Sequence, residues 1–144
     1  RLPMELLASV EVLIVNQTEA AALGGTGSPE AVAEKLGRMG PRMVVVTMAE
    51  KGAWYSHGEH KGHVPAFAVE AIDTVGAGDA FAGALAARWI EHQVAGALDP
   101  MGVMDAVCWA SAAGALATMK AGAIPSLPMR ADVVKLLRSQ GVSG

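Results

Sequence analysis

The chain has 144 residues, of which 52% are hydrophobic and 17% are charged, and this excludes an intrinsically disordered chain, which is poor in apolar residues and rich in charge. The net charge is −3 and the basic residues are scattered, so no surface for nucleic-acid phosphates is expected. The single cysteine, Cys108, excludes an internal disulfide and suits a cytoplasmic protein. No run approaches the ~20 apolar residues of a membrane span, so no membrane partner is expected.

The first half of the chain reads as strands separated by a helix. Residues 12–15 (VLIV) and 43–47 (MVVVT) are continuous apolar runs, which are typical of strands buried on both faces. Ser28 is a predicted N-cap and Pro29 a predicted first residue of the helix between them. Residues 53–56 and 63–69 are predicted to form antiparallel strands.

The second half is predicted to be mainly helical. A glycine loop at residues 73–78 precedes a helix over about 79–93, and Asp99-Pro100 opens a second helix that runs to about residue 119. This second helix is apolar or small on nearly every face, so it should be deeply buried. Pro128 opens a final amphipathic helix that ends at Gly141. The alternation of strands and helices predicts an α/β fold.

The segment most informative about chemistry runs from Asp73 to Leu85, with the sequence DTVGAGDAFAGAL. Gly76 and Gly78 remove side chains just before a helix, so several backbone N–H groups can converge on one anion at the positive end of the helix. Asp79 places a carboxylate at the same point. This arrangement suits a carboxylate that takes a proton from a hydroxyl attacking a phosphate. In the alternative interpretation, Asp79 only caps its helix and the glycines only form a turn.

The same segment resembles the second signature of the ribokinase family of carbohydrate kinases, the phosphofructokinase-B type. Further stretches resemble the family in order and spacing: Asn16-Gln-Thr-Glu19, residues 45–47 through Gly52, residues 64–67, and residues 122–128. The resemblance implies a ribokinase-like fold, with a mostly parallel sheet flanked by helices. It also implies that residues 1–144 are the C-terminal, ATP-binding and catalytic portion of a single domain, without the N-terminal half and lid.

The resemblance implies a role for individual residues. Asp79 would be the catalytic base beside the sugar hydroxyl, and the amides of Gly76, Ala77 and Gly78 would stabilise the transferring phosphoryl group. Asn16 and Glu19 would organise Mg²⁺ and the ATP phosphates, with Glu19 acting on the metal through water. The remaining nucleotide-binding candidates are Thr47, Gly52 and Ser111.

Other interpretations of these residues stay open. Asn16 and Thr18 can instead cap the following turn, and the small residues around Ser111 can instead serve helix packing. Ala49 stands where the family usually has glycine, and its Cβ could narrow the approach to the phosphates or alter the turn. His57, His60 and His63 are read as part of a solvated turn rather than a metal site.

The resemblance also implies a monovalent-cation site, of the potassium type, beside the anion-binding loop. The residues that match it, mostly through backbone carbonyls, are Asp73, Val75, Ala117, Lys120, Gly122 and Ser126.

Together these observations favour a cytoplasmic, ATP- and Mg²⁺-dependent sugar kinase, with ribose as the first candidate and fructose or a keto-deoxy sugar acid as others. The complete enzyme is expected to be a homodimer. The isolated chain is expected to be inactive and to self-associate or bind a complementary fragment. The alternative is a non-catalytic nucleotide-binding or regulatory module, or an inactive fragment, of the same fold.

Overall fold

A four-stranded sheet organises the first part of the chain in the computed structural model, which describes residues 4–142. The strands are β1 (Val12–Asn16), β2 (Met43–Thr47), β3 (Ala53–His57) and β4 (His60–Val64), in the order β1-β2-β3-β4. Strands β1 and β2 are parallel, whereas β2-β3 and β3-β4 are antiparallel. The predicted antiparallel strand pair is therefore confirmed. The four strands form a mixed sheet in which β1 and β2 have the parallel arrangement implied by the resemblance, and the short connections after β2 and β3 reverse the chain.

The chain divides into two units, residues 1–65 and 66–144. The predicted ATP-binding and catalytic portion, residues 1–144, includes residues 1–3 and 143–144, which lie outside the described part. In the first unit the helices are α1 (Met4–Ala8), α2 (Gln17–Gly24) and α3 (Pro29–Gly37), and a 3-10 turn spans Ala49–Lys51. The Ser28 hydroxyl accepts a hydrogen bond from Ala31 N at 3.2 Å, as the predicted cap requires.

The core of the first unit lies between α3 and the sheet. The first four residues of β2 are buried, with relative exposures of 0–1%, as expected for the continuous apolar run of a strand that has a neighbour on each side. Val32 and Leu36, one turn apart on α3, pack into the same cluster as Val44 and Val46. These contacts hold β2 against α3, with Thr47 as the last residue of the strand.

The second unit is helical. Its elements are α4 (Ala77–Val94), α5 (Pro100–Ala117), the short α6 (Ala123–Ser126) and α7 (Arg130–Ser139). Asp99 Oδ1 accepts from Gly102 N at 2.9 Å and caps α5, as predicted. One core cluster joins Trp109, Ala112 and Ala113 of α5 to Val133 and Leu137 of α7, so the nearly all-apolar α5 is a core helix.

Helix α5 also meets the length and composition of a membrane span, with a mean hydropathy of 1.2 over its 18 residues, and no other helix in residues 4–142 does. However, 56% of this stretch is buried inside the structure. A buried core helix has the same composition, so the similarity to a membrane span is weak evidence for one.

Several boundaries differ from the sequence-based expectations. Strand β4 begins at His60 and ends at Val64, whereas residues 63–69 were expected. Helix α4 begins at Ala77, two residues before the expected start, because Gly76 and not Asp79 is its N-cap. Helix α2 was not predicted, although its first residues follow the capping-box pattern.

Candidate active site

The carboxylate of Asp79 lies in the first turn of α4, where the glycine loop enters the helix. Gly76 is the N-cap, with φ of 86° and no side-chain cap, and Asp79 is the third helical residue. Asp79 is exposed, and its carboxylate has no hydrogen-bond or ion-pair partner among residues 4–142. The interpretation of Asp79 as a helix cap is therefore wrong, and the carboxylate is free to act on a ligand.

The backbone of the same turn offers unpaired donors. Ala77 N donates to Thr74 O at 3.3 Å and Ala80 N donates to Gly76 O at 2.9 Å. The amides of Gly78 and Asp79 have no acceptor within the described part of the chain, as expected for the first turn of a helix. Gly78 and Asp79 are both exposed, so the start of this helix, where anions bind in other proteins, is accessible to solvent.

Three residues of the expected cation site, Asp73, Val75 and Gly122, are joined by hydrogen bonds in the second unit. Asp73 Oδ1 accepts from Val75 N at 3.0 Å, and Asp73 Oδ2 accepts from Gly122 N at 3.1 Å. These two hydrogen bonds lower the pKa of Asp73, because they stabilise its charged form. The Ser126 hydroxyl is buried and donates to Ala123 O at 2.8 Å.

Two other residues expected in the cation site, Ala117 and Lys120, lie between the start of α5 and Gly122. Ala117 is the last residue of α5, and Lys120 is exposed in the connection before Gly122. Sequence reasoning missed Thr118, whose carbonyl accepts from both Ile72 N at 2.7 Å and Asp73 N at 3.0 Å. No sequence signal points to it, because the contact uses only backbone atoms.

Ser111 lies on α5 with its hydroxyl oxygen buried and without a hydrogen-bond partner. An unpaired buried hydroxyl calls for an explanation, and a ligand is one. The neighbouring small residues have a packing role: Ala112 and Ala113 are in the core, and a Cβ on Gly114 would lie 3.3 Å from Ala77 O on α4. The packing alternative is therefore confirmed for these neighbours, and the role of Ser111 stays a prediction.

In the first unit, Asn16 and Glu19 form a reciprocal capping box at the start of α2. Asn16 Oδ1 accepts from Glu19 N, and Asn16 N donates to Glu19 Oε2, both at 2.9 Å. The capping alternative for Asn16 is thus confirmed as its structural role. Both residues are also exposed at the carboxyl end of β1, the end of a parallel strand where ligands bind in α/β sheets.

Thr47 and Gly52 lie at the same edge of the sheet. Thr47 is the register partner of Asn16, and its hydroxyl donates to Val15 O at 3.4 Å. Gly52, with φ of 86°, ends the 3-10 turn, and its carbonyl accepts from Met48 N at 2.8 Å. The structure therefore brings Asn16, Glu19 and Thr47 to one sheet edge, with Gly52 in the turn that follows β2.

Ala49, which stands where the family usually has glycine, lies in a strained backbone conformation. Ala49 has φ of 50°, and it is the only non-glycine residue with positive φ among the described residues. This left-handed conformation costs an L-residue about 1–2 kcal/mol relative to glycine. The turn thus keeps a backbone conformation suited to glycine, and Ala49 makes that conformation less stable than glycine would.

The three histidines do not gather at one point. His57 and His60 face each other across the β3-β4 turn, and His63 Nε2 is 2.7 Å from Lys51 O. No group of three or more His, Cys, Asp or Glu side chains within residues 4–142 has the arrangement of a metal site.

Comparison with known proteins gives the class of this fold and site. The pfkB family of carbohydrate kinases matches residues 1–130, and the chain belongs to that family. It is 37% identical over 130 residues to fructokinase-1 of Oryza sativa, covering 90% of this chain and 40% of that protein. The chain therefore spans about two fifths of the length of this relative.

Solved structures confirm the ribokinase-like fold. The ribokinase of Thermotoga maritima superposes with a TM-score of 0.82 at 32% identity, over 95% of this chain and 45% of that one. The fructokinase of Vibrio cholerae, solved with fructose, ADP and calcium bound, gives a TM-score of 0.81 at 36% identity, over 93% and 43%. The resemblance inferred from the sequence motifs is confirmed.

Proposed function

We propose that the chain carries the ATP-binding and phosphoryl-transfer residues of a carbohydrate kinase, which transfers the γ-phosphate of Mg-ATP to a hydroxyl of a small sugar. The observation that supports this most directly is the exposed, unpartnered carboxylate of Asp79 beside the unpaired amides of Gly78 and Asp79. A carboxylate weakens simple anion binding at such a turn, because like charges repel. It serves a reaction in which a hydroxyl must lose a proton next to a phosphate.

In this reaction the sugar hydroxyl oxygen forms a bond to the γ-phosphorus, and the bond from that phosphorus to the leaving oxygen of ADP breaks. Asp79 accepts the hydroxyl proton. The amides of Gly78 and Asp79 donate to the oxygens of the transferring group, at the positive end of α4. The predicted amide of Ala77 contributes less, since it already donates to Thr74 O.

Mg²⁺ would neutralise phosphate charge during the transfer. Asn16 and Glu19 fit such an ion through bridging water, because Mg²⁺ in proteins usually keeps several of its waters and Glu19 Oε2 already accepts a hydrogen bond from Asn16 N. The remaining proposed nucleotide-binding residues are Thr47 and Gly52 in the first unit and Ser111 in the second. The unpaired hydroxyl of Ser111 supports its assignment.

The proposed sugar has a primary hydroxyl, and fructose and ribose are the first candidates. Relatives of both kinds support this class: fructokinase-1 of rice at 37% identity and the ribokinase of Staphylococcus aureus at 31%. The substrate screen therefore begins with these two sugars and adds keto-deoxy sugar acids.

A potassium-type cation beside the loop is also part of the proposal. Its residues would be Asp73, Val75, Ala117, Lys120, Gly122 and Ser126. The charged Asp73 carboxylate supports this assignment, since each oxygen keeps a lone pair after accepting one backbone hydrogen bond. Turnover that is the same in sodium and in potassium would contradict it.

The deciding experiment replaces Asp79 with Asn in the full-length protein and measures sugar-dependent ADP release. Loss of a general base lowers kcat by about 10²–10⁴-fold, while ATP binding, measured by calorimetry, should persist. Asp132→Asn is the matched control, because Asp132 holds the same third helical position in α7. A near-wild-type kcat for Asp79→Asn would refute the assignment, and ATP binding without any turnover by wild type would indicate a regulatory module.

A further inference from the structure

Two segments distant in sequence are joined beside the N-terminus of α4. Thr118 O accepts from Ile72 N and Asp73 N, at 2.7 and 3.0 Å. Gly122 N donates to the Asp73 carboxylate across 49 residues of sequence. The loop that leads into α4 is therefore attached to the segment that follows α5.

Asp73 provides the side-chain part of this attachment. Its two oxygens accept from different amides, Val75 N at 3.0 Å within the loop and Gly122 N at 3.1 Å outside it. Among residues 73–79, no other side chain forms a hydrogen bond within residues 4–142. Because both partners are backbone groups, the Asp73 carboxylate holds the loop backbone itself.

The loop has little room to move toward that segment. A Cβ on Gly76 would lie 2.9 Å from Ala123 Cα, so the two backbones are already in contact. The unpaired amides of Gly78 and Asp79 follow Gly76 directly. A shift of the loop would therefore change the position of these amides.

We propose that Asp73 is a positioning residue: it fixes the amides of Gly78 and Asp79 by tying the loop to Gly122. This inference rests on the proposed phosphoryl transfer, in which those amides stabilise the transferring group. Misplacement of such donors by about 1 Å can cost on the order of 10²-fold in rate. The effect should appear mainly in kcat, because the donors act most strongly on the transition state.

Two substitutions remove one or both of the hydrogen bonds that the Asp73 carboxylate accepts. Asp73→Asn keeps one acceptor oxygen but presents an NH₂ group in place of the other, so one of the two amides loses its partner. Asp73→Ala loses both. The matched control is Asp132→Asn, since Asp132 accepts a backbone hydrogen bond from Met129 N at 3.2 Å in the same unit.

Amide hydrogen exchange tests the attachment without an activity assay. In the full-length protein, Asp73→Ala should lose protection at both Val75 and Gly122, and exchange should rise across residues 74–79. Asp73→Asn should lose protection at one of the two amides, and Asp132→Asn at neither. Unchanged protection at Val75 and Gly122 in Asp73→Ala would overturn the proposal.

Kinetics test the consequence for catalysis. At saturating potassium, Asp73→Asn should lower kcat about tenfold and Asp73→Ala about a hundredfold, while KM for ATP changes less than about threefold. If higher potassium restores the kcat of Asp73→Asn while amide exchange stays as in wild type, Asp73 acts only through the proposed cation and does not hold the loop, which would overturn the positioning role. Wild-type kcat despite lost protection would overturn it as well. If wild type itself releases no ADP with any sugar, the proposed function fails, while the exchange data still decide whether Asp73 anchors the loop.

Discussion

Gly76 is the position where the structure predicts the most specific effect of one added methyl group. Its φ of 86° lies in the left-handed region, and a Cβ there would be 2.9 Å from Ala123 Cα and 3.1 Å from Ala123 Cβ. The backbone conformation costs an alanine about 1–2 kcal/mol, and contact with a neighbouring backbone adds about 1–3 kcal/mol of overpacking. Gly76→Ala should therefore lower the free energy of unfolding by about 2–5 kcal/mol, a large part of the typical ~5–15 kcal/mol.

Gly78→Ala is the control for this prediction, because it adds the same methyl group two residues away. Apart from its chain neighbours and the backbone of its own helix, no atom of the described residues lies within 4 Å of its Cβ position, and alanine is favoured over glycine inside a helix by about 1 kcal/mol. This variant should be as stable as wild type or more so. Urea unfolding followed by the fluorescence of Trp89 and Trp109 measures both variants. Equal midpoints for Gly76→Ala and Gly78→Ala would refute the steric argument.

Three further predictions concern stability and association. Ala49→Gly should raise the free energy of unfolding by about 0.5–1 kcal/mol. Glycine removes the steric strain of alanine at φ of 50°, and this gain exceeds the conformational entropy that glycine adds to the unfolded chain. A loss of stability in urea unfolding would contradict this. Burial raises the pKa of Asp105, but hydrogen bonds from Arg88 and His92 outweigh it and lower the pKa below 3.8. Asp105→Asn should therefore lower the free energy of unfolding by about 1–3 kcal/mol at pH 7. The difference in stability between this variant and wild type should vanish as the pH falls through the lowered pKa of Asp105, because the wild-type carboxylate then becomes neutral. A difference in stability that does not depend on pH would contradict this. The 144-residue chain should self-associate in sedimentation velocity, and a monomer at every concentration would contradict this.

The chemistry of the glycine loop was predictable because its parts are local. Gly76, Gly78 and Asp79 lie within four residues, and the start of a helix places their amides and the carboxylate together without any distant contact. The sequence also flagged Ala49 as a departure from the family, and its positive φ explains why glycine is usual there.

The features that sequence reasoning missed depend on distant or backbone contacts. The tie between Asp73 and Gly122 joins residues 49 apart, and the Thr118 carbonyl acts without its side chain. The apolar run at residues 43–47 shows that this strand is buried but not how its neighbours run, so the antiparallel pairing of β2 with β3 could not be read from it. Helix α2 was missed because Asn16 and Thr18 were interpreted at most as the cap of a turn, whereas Asn16 caps a helix of eight residues.

The register of β1 and β2 has a consequence for how the site in the first unit forms. Thr47 donates to Val15 O across 32 residues of sequence, and Thr47 pairs with Asn16 in a parallel ladder. Parallel pairing can form only when the chain between the two strands, which contains α2 and α3, bends back to bring them side by side. Contacts between residues so far apart in sequence form slowly. During synthesis, residues 16–19 can complete their own capping box early, but the edge they share with Thr47 can exist only after β2 has been made and docked.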